Sequence, residues 1–460
     1  MTTRLAGFLA CVPLLAAPTS FAHRDLAPAP AHTASADTAW VHHCAIYEVF
    51  VTDFSPSGDF QGLIRGLGRI QALGANVIWL MPIQPLGVLN HKGTLGSPYA
   101  IRDYLAIDSA FGTPADFRAL VRAVHERGMK IIIDWVPDHT SWDNVWVTQH
   151  PDYYVRDAHG NLTVPIDPQG HPTNWSDVVQ LDYHNPALRA AMIDAMSYWL
   201  REYDIDGFRV DAAGFVTPDF WREAVPAVRT AVRRPILLLA EWGDIEWNRL
   251  GFDLTYPWSS YGRLKAVWRG APADGFVRSE LTDLQTMPPT GERMRFTTNH
   301  DETANGDPPV TLFHGADGAR AAYVAMALLP GRPLLYNGQE VESPQVLGLF
   351  ERQPVDWNQP HAAEARAFYT RIVHLATTDS SFVSGSFSAM TTDDSVDVIA
   401  YRRGAAVVLV NARDRALRVA VSGLGAQSWR DVLSHSVQRG DTVSLPAYRA
   451  MVLEPATTTR

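Results

Sequence analysis

Short apolar runs alternate with amphipathic stretches through most of the chain. Runs at 44–51, 76–81, 130–136, 205–212, 236–241, 293–298 and 333–336 are continuous and rich in branched residues. Strands of that character are covered on both faces, as in a parallel sheet wrapped by helices. A further run at 251–258 (GFDLTYPW) supplies the eighth. The intervening stretches read as helices. Thr113, Pro114 and Asp116 form an N-cap, a first-turn proline and a capping-box acid. Phe117, Leu120, Val121 and Val124 continue as one apolar stripe, and Gly128 ends it. Asn185 and Pro186 open another helix, with Leu188, Met192, Met196, Trp199 and Leu200 on one side. Eight strand–helix repeats predict a (β/α)8 TIM barrel over 40–379, rather than a doubly wound sheet of fewer strands.

Spacing refines that expectation. Asp211 and Glu241 are 30 residues apart, one β/α unit, and Glu241 and Asp301 are 60 apart, two units. Asp134 and Asp211 are 77 apart, too many for one unit. The surplus, 140–183, has no long helical pattern and predicts a small domain inserted after the third strand. After 380 the pattern changes to short β-prone stretches at 396–401, 405–411, 416–422 and 442–446, separated by Gly, Asp and Arg. These predict a C-terminal antiparallel β-sandwich over 380–460.

The first residues have a different logic. Arg4, an apolar stretch at 5–17 and the small-x-small triplet Ser20-Phe21-Ala22 make up a secretory signal, 1–22. An Ala- and Pro-rich linker, 23–39, follows. The expected destination is the periplasm or the extracellular medium. The signal's apolar run is too short to span a bilayer, and no later run is a better candidate. Cys11 leaves with the signal, so Cys44 stands alone and no internal disulfide is expected. The formal charge of −10 comes from scattered acids, which argues against nucleic acid or anionic membrane as partner. A monomer acting on a neutral substrate is the expectation. Fourteen Trp and fifteen Tyr supply flat amphipathic rings suited to the C–H faces of sugars as well as to the core.

Acids end several of the predicted strands. In Gly207-Phe208-Arg209-Val210-Asp211, alternation places Gly207, Arg209 and Asp211 on one face. A buried Arg–Asp pair costs several kcal/mol to desolvate unless the partners compensate (roughly, per ion). It reads either as a structural salt bridge or as a carboxylate kept ionised for attack on carbon. Glu241 ends an otherwise apolar strand one unit later. Strands lie ~4.8 Å apart, close to the ~5–5.5 Å between the two carboxyl groups of a retaining glycosidase. Asn299, His300 and Asp301 close a third run, and Asp134, Asp138 and His139 bring further polar groups to the same rim.

Four segments, DWVPDH (134–139), GFRVDAA (207–213), LLLAEW (237–242) and FTTNHD (296–301), occur in that order. Together with GSPYAIRDYLAIDSAFGT (96–113) they make the chain resemble the α-amylase family of glycoside hydrolases, family thirteen, over 40–455. The resemblance implies a retaining enzyme that cleaves α-glucosidic bonds, α-1,4 above all, in starch, glycogen or maltooligosaccharides. It implies that Asp211 is the nucleophile, Glu241 the general acid/base and Asp301 the third carboxylate. Arg209 would orient the nucleophile, His139, His300 and Tyr99 would hold the sugar, and Asp134 would support the first motif.

Departures from the family pattern leave the substrate open. Asp138 stands where the family usually has an Asn that often ligates calcium. The chemistry requires no cofactor, but a structural Ca2+ is an open expectation, and the metal ligands are unidentified. Asp53, Ser57 and Asp59 have a weakly calcium-like spacing that also fits a polar turn. Gly214-Phe215 replaces a frequent Lys-His on the leaving-group side. Trp142, Trp146, Tyr153, Tyr154 and Trp175 are candidate sugar platforms. An exo-acting α-glucosidase, a transglycosylase and an inactive, transporter-associated homologue are the alternatives. All three carboxylates are present, which argues against the last.

Overall fold

A computed structural model of the chain describes residues 36–456. The expected signal, 1–22, and most of the linker lie outside the described residues.

Eight parallel strands close into a barrel. They are β1 (Ile46–Val49), β2 (Val77–Leu80), β3 (Lys130–Trp135), β6 (Gly207–Val210), β7 (Leu237–Ala240), β8 (Leu254–Thr255), β9 (Glu292–Arg295) and β10 (Arg332–Tyr336). Two short antiparallel strands, β4 (His139–Ser141) and β5 (Val178–Gln180), belong to the segment after β3. Around the barrel the order is β1-β10-β9-β8-β7-β6-β3-β2. The helices form the outer layer, and their caps are those read from the chain. Thr113 and Asp116 make the reciprocal capping box of the helix Pro114–His125. Asn185 caps Pro186–Glu202 by accepting from Ala187 N–H.

Two strands differ from expectation. The eighth shrinks from 251–258 to Leu254–Thr255, because Gly251 adopts φ +102° before it and Pro257 stands at the N-cap of a helix, Trp258–Trp268, after it. The run 293–298 pairs only over Glu292–Arg295, since Asn299 caps a helix, His300–Asn305, through its side chain to Glu302 N–H. His300 and Asp301 therefore sit in the first turn of a helix and not at a strand end.

Register explains how the polar residues meet. Across β3 and β6, Asp134 lies opposite Arg209, and across β6 and β7, Arg209 lies opposite Leu239. Two residues further along, Asp211 and Glu241 emerge side by side. Asp211 N–H donates to Trp135 O and Glu241 N–H to Val210 O, both at 2.8–2.9 Å.

The insertion is short and tied down at several points. Ser141 N–H donates to Ile101 O, and Asn144 Nδ2 to the same carbonyl at 2.9 Å. Lys92 Nζ lies 2.7 Å from the buried Asp177 carboxylate, so the loop after β2 grips the insertion. Trp146 and Tyr153 pack edge to face with one another, and Trp146 also packs against Tyr104. Tyr154 is buried on Thr140. These rings serve packing. Asp59 caps the helix Phe60–Ala72 and accepts from Ser57, while Asp53 accepts from Gln353 N–H at 2.7 Å; this segment is a polar turn.

The C-terminal region has eight strands where four were expected. They are β11 (Phe387–Ala389), β12 (Val398–Arg403), β13 (Ala406–Asn411), β14 (Leu417–Ala420), β15 (Ser428–Asp431), β16 (Val437–Arg439), β17 (Thr442–Leu445) and β18 (Ala450–Pro455). A six-stranded antiparallel sheet, β11-β12-β13-β18-β15-β16, faces the β14-β17 pair over a small apolar core. Among the described residues no helix is long and apolar enough to cross a membrane.

Gly207 generates a test of the barrel. It adopts φ +147°, and a Cβ there would lie 2.0 Å from the Leu237 carbonyl oxygen of the neighbouring strand. Gly207→Ala is expected to destabilise the protein by about 3 kcal/mol or more, read as a lower midpoint in urea or thermal melts. A melt unchanged from wild type would contradict this account of β6.

Candidate active site

Arg209 is the hub of the site. Its guanidinium is wholly buried. Nη1 donates at 2.8 Å to both Asp134 Oδ1 and Asp211 Oδ1. Nη2 lies 2.9 Å from Glu241 Oε2, and Nε donates to Tyr256 Oη at 3.2 Å. One cation thus faces three carboxylates. Glu241, although it ends an otherwise apolar strand, is therefore compensated. It meets the same guanidinium as Asp211 and also accepts from Ala212 N–H at 2.8 Å.

The two carboxylates still differ in surroundings. Burial raises both pKa values, and Arg209 opposes the rise at each. At Asp211 a second cation, His139, joins Arg209, and the acid Asp138 opposes it. At Glu241 the remaining charges are acids, Asp211 and Asp301, and its carboxyl is pushed up to about 8. Asp211 thus has a cation, His139, to set against Asp138, while the further charges around Glu241 are acids, surroundings that suit Glu241 to the role of proton donor.

Asp134 is buried behind Arg209. Its other oxygen accepts from Trp79 Nε1 at 3.3 Å and Tyr99 Oη at 3.2 Å. Burial lifts its pKa to about 6 against the pull of Arg209. Tyr99 stacks on His300 with centroids 5.4 Å apart, and Tyr99 Oη is 2.6 Å from His300 Nε2. His300 Nδ1 lies 2.5 Å from Glu48 Oε1. Burial opposes protonation of this ring, but Asp301 and Glu48 outweigh it and raise its pKa to about 9. His300 is thus an imidazolium that donates to Glu48 and to Tyr99, and Asp301 Oδ2 is 3.3 Å from Nε2. Asp301 is the most open of the three carboxylates, with its side chain 36% exposed against 12% for Asp211 and 14% for Glu241.

The structure therefore brings Asp134, Arg209, Asp211, Glu241, Tyr99, His300, Asp301 and His139 to one mouth. Glu48 and Tyr256 were missed by sequence reasoning. Glu48 had a visible signal, an acid at an alternating position inside the apolar run Ile46–Val49. Tyr256 did not, since Arg209 reaches it only through the curvature of the barrel.

His139 is buried beside Asp138, with Nδ1 2.9 Å from Oδ1. Asp138, His139 and Asp211 offer ligand atoms within 4.8 Å of one another. This donor set does not fit calcium, which takes 6–8 oxygens at about 2.3–2.6 Å. One of the donors is an imidazole nitrogen, Asp211 is already engaged by Arg209, and the nearby Asp177 carboxylate is held by Lys92.

Beside His139 the site is aromatic. Trp175 from the insertion stacks on Phe215, centroids 5.2 Å apart and planes 22° from parallel. Trp175 also meets His139 edge-on, and Phe215 meets Trp242 at 88°. Gly214 is required there, because a Cβ would lie 2.1 Å from the Trp242 ring. Of the candidate platform rings, Trp175 alone stands beside the carboxylates.

Comparison with known proteins agrees with this geometry. The family model for the α-amylase catalytic domain matches residues 18–180 and 171–232. α-Amylase MalA of Haloarcula japonica is 29% identical over 314 residues, 66% of this chain and 44% of that protein. The chain spans about half the length of that curated relative. The maltogenic α-amylase AmyB of Thermotoga neapolitana superposes with a TM-score of 0.80 at 29% identity, covering 90% of this chain and 98% of that one. An α-amylase from Lactobacillus plantarum superposes with a TM-score of 0.78 at 31% identity, covering 90% and 99%. With an α-amylase 31% identical superposing over nearly its whole length, the chain belongs to the α-amylase family.

Proposed function

We propose that the protein hydrolyses α-glucosidic bonds, chiefly α-1,4 bonds of starch, glycogen or maltooligosaccharides, with net retention of configuration. The observation that carries this reading is the pair Asp211 and Glu241 at the ends of adjacent strands, bridged by one guanidinium, with a further cation, His139, beside Asp211 only. Asp211 attacks the anomeric carbon while Glu241 protonates the departing oxygen. Glu241, now a carboxylate, deprotonates water, which displaces Asp211 from the covalent glycosyl-enzyme. The two inversions restore the α configuration. Asp301 and the His300 imidazolium hold sugar hydroxyls and stabilise the developing oxocarbenium ion, and His139 contacts the same sugar. Tyr99 lies beneath the ring, Arg209 orients Asp211, and Asp134 fixes Arg209. None of these steps needs a metal.

One observation favours a second reading, transfer to a sugar acceptor. The shelf of Trp175, Phe215 and Trp242 offers apolar faces where a leaving or incoming sugar would stack. Products longer than the substrate, formed from maltotriose, would support transfer over hydrolysis.

We also infer export, from the secretory pattern of 1–22, which lies outside the described residues. Mass spectrometry of secreted or periplasmic protein is expected to find His23 at the N-terminus, and an intact Met1 would refute this.

The catalytic assignment has two further tests. Time-resolved NMR is expected to show the α-anomer as first product, and Asp211→Asn to lower kcat roughly 10⁴-fold or more without unfolding the protein. A β-anomer first product refutes the mechanism, and an active Asp211→Asn refutes the residue. Because Glu241 must begin protonated and its pKa lies near 8, kcat/KM is expected to fall as pH rises through about 8. A profile flat to pH 10 would contradict this.

A further inference from the structure

Away from the mouth, where the barrel meets the C-terminal sheet, three arginines are buried together. Arg295 on β9 is 0% exposed, Arg403 on β12 is 2% and Arg332 at the start of β10 is 4%. Two carboxylates accompany them. Glu280, on the helix Ala273–Thr286, lies 2.8 Å from Arg295 Nη1. Glu292 lies 2.5 Å from Arg332 Nε and accepts from Arg332 Nη2 at 2.8 Å. The cluster carries one positive charge in excess, and His42, 3.0 Å from Glu292, adds to the positive side when protonated.

The excess is matched by unused donors. Arg403 gives one N–H, from Nη2, to Phe382 O. Its Nε and Nη1, Arg295 Nη2 and Arg332 Nη1 are buried with no hydrogen-bond acceptor among the described residues. Both Glu280 oxygens and Glu292 Oε2 are likewise without a hydrogen-bond donor, but they face Arg295 and Arg332 as ion pairs, and among the described residues no carboxylate forms an ion pair with Arg403. Tyr401, two residues before Arg403, spends its hydroxyl proton on the Val324 and Ala325 carbonyls. Burial, with Arg295 and Arg332 nearby, lowers the Arg403 pKa to about 10. Buried guanidinium groups without acceptors cost several kcal/mol each (roughly), so this arrangement calls for an acceptor. Water accepts N–H donors but brings no charge. A halide takes several donors from any direction, fits a packed interior and removes the excess charge.

We propose that Arg295 and Arg403 bind a small monovalent anion of the chloride class at the interface of the barrel and the C-terminal sheet. The anion locks the two units together from a place remote from the carboxylates at the mouth, so its site is independent of the proposed glycosidase chemistry.

The test uses the full protein, exchanged into gluconate and titrated with chloride at constant ionic strength. The melting temperature is expected to rise saturably by roughly 2–4 °C, and the rise to vanish in Arg403→Met. Crystals of the unaltered protein soaked in bromide are expected to show an anomalous peak against Arg295 Nη2 and Arg403 Nη1; this measurement decides the matter if Arg403→Met does not fold. Equal melting in chloride and gluconate, a chloride effect undiminished in Arg403→Met, or no bromide peak between the two arginines would each overturn the proposal.

Discussion

Everything at the barrel mouth depends on one buried guanidinium. Arg209 can be dry only because Asp134, Asp211 and Glu241 surround it, and those carboxylates can crowd together only because Arg209 lies between them. Neither half is stable alone, since an uncompensated buried charge costs several kcal/mol (roughly). The mutual dependence also creates function. A guanidinium has a planar fork with several donors at fixed angles, so it holds two acids of adjacent strands in one orientation. A lysine in its place would supply charge but not that geometry.

The fork does not make its two partners equivalent. What separates Asp211 from Glu241 is the second ring of charge, His139 against Asp138 near the one and the two acids Asp211 and Asp301 near the other. Sequence reasoning placed Arg209 beside Asp211 correctly, from alternation along a single strand. It did not reach the contact between Arg209 and Glu241, because a contact between neighbouring strands depends on register and barrel curvature, which alternation does not encode. The same limit explains Tyr256.

Elsewhere the legibility of the chain follows the range of the interaction. The capping box at Thr113 and Asp116 and the proline at 186 are local, and they stand where they were read. The barrel was legible because eight buried runs repeat with helices between them. The end of β9 was not, since Thr297 and Thr298 are as β-prone as their neighbours. Only the capping of Glu302 N–H by Asn299 turns the chain into a helix, so His300 and Asp301 arrive on its first turn. In the C-terminal sheet, β16 was invisible because it is short and mostly exposed, with no apolar alternation to mark it.

The bond between His300 and Glu48 joins residues 252 positions apart, and β1 carries Glu48 into its pairing with β10. The His300 ring, proposed above to hold the sugar, is therefore charged and oriented by a residue from the opposite end of the barrel sequence. Contacts of such long range form late, because the intervening chain must first lose its freedom. A growing or partly collapsed polypeptide can hold Asp211 and Glu241 on neighbouring strands well before His300 meets its partner. Completion of the cylinder and completion of the sugar-binding machinery are one event, so an unfinished chain has its acids in place without the means to use them.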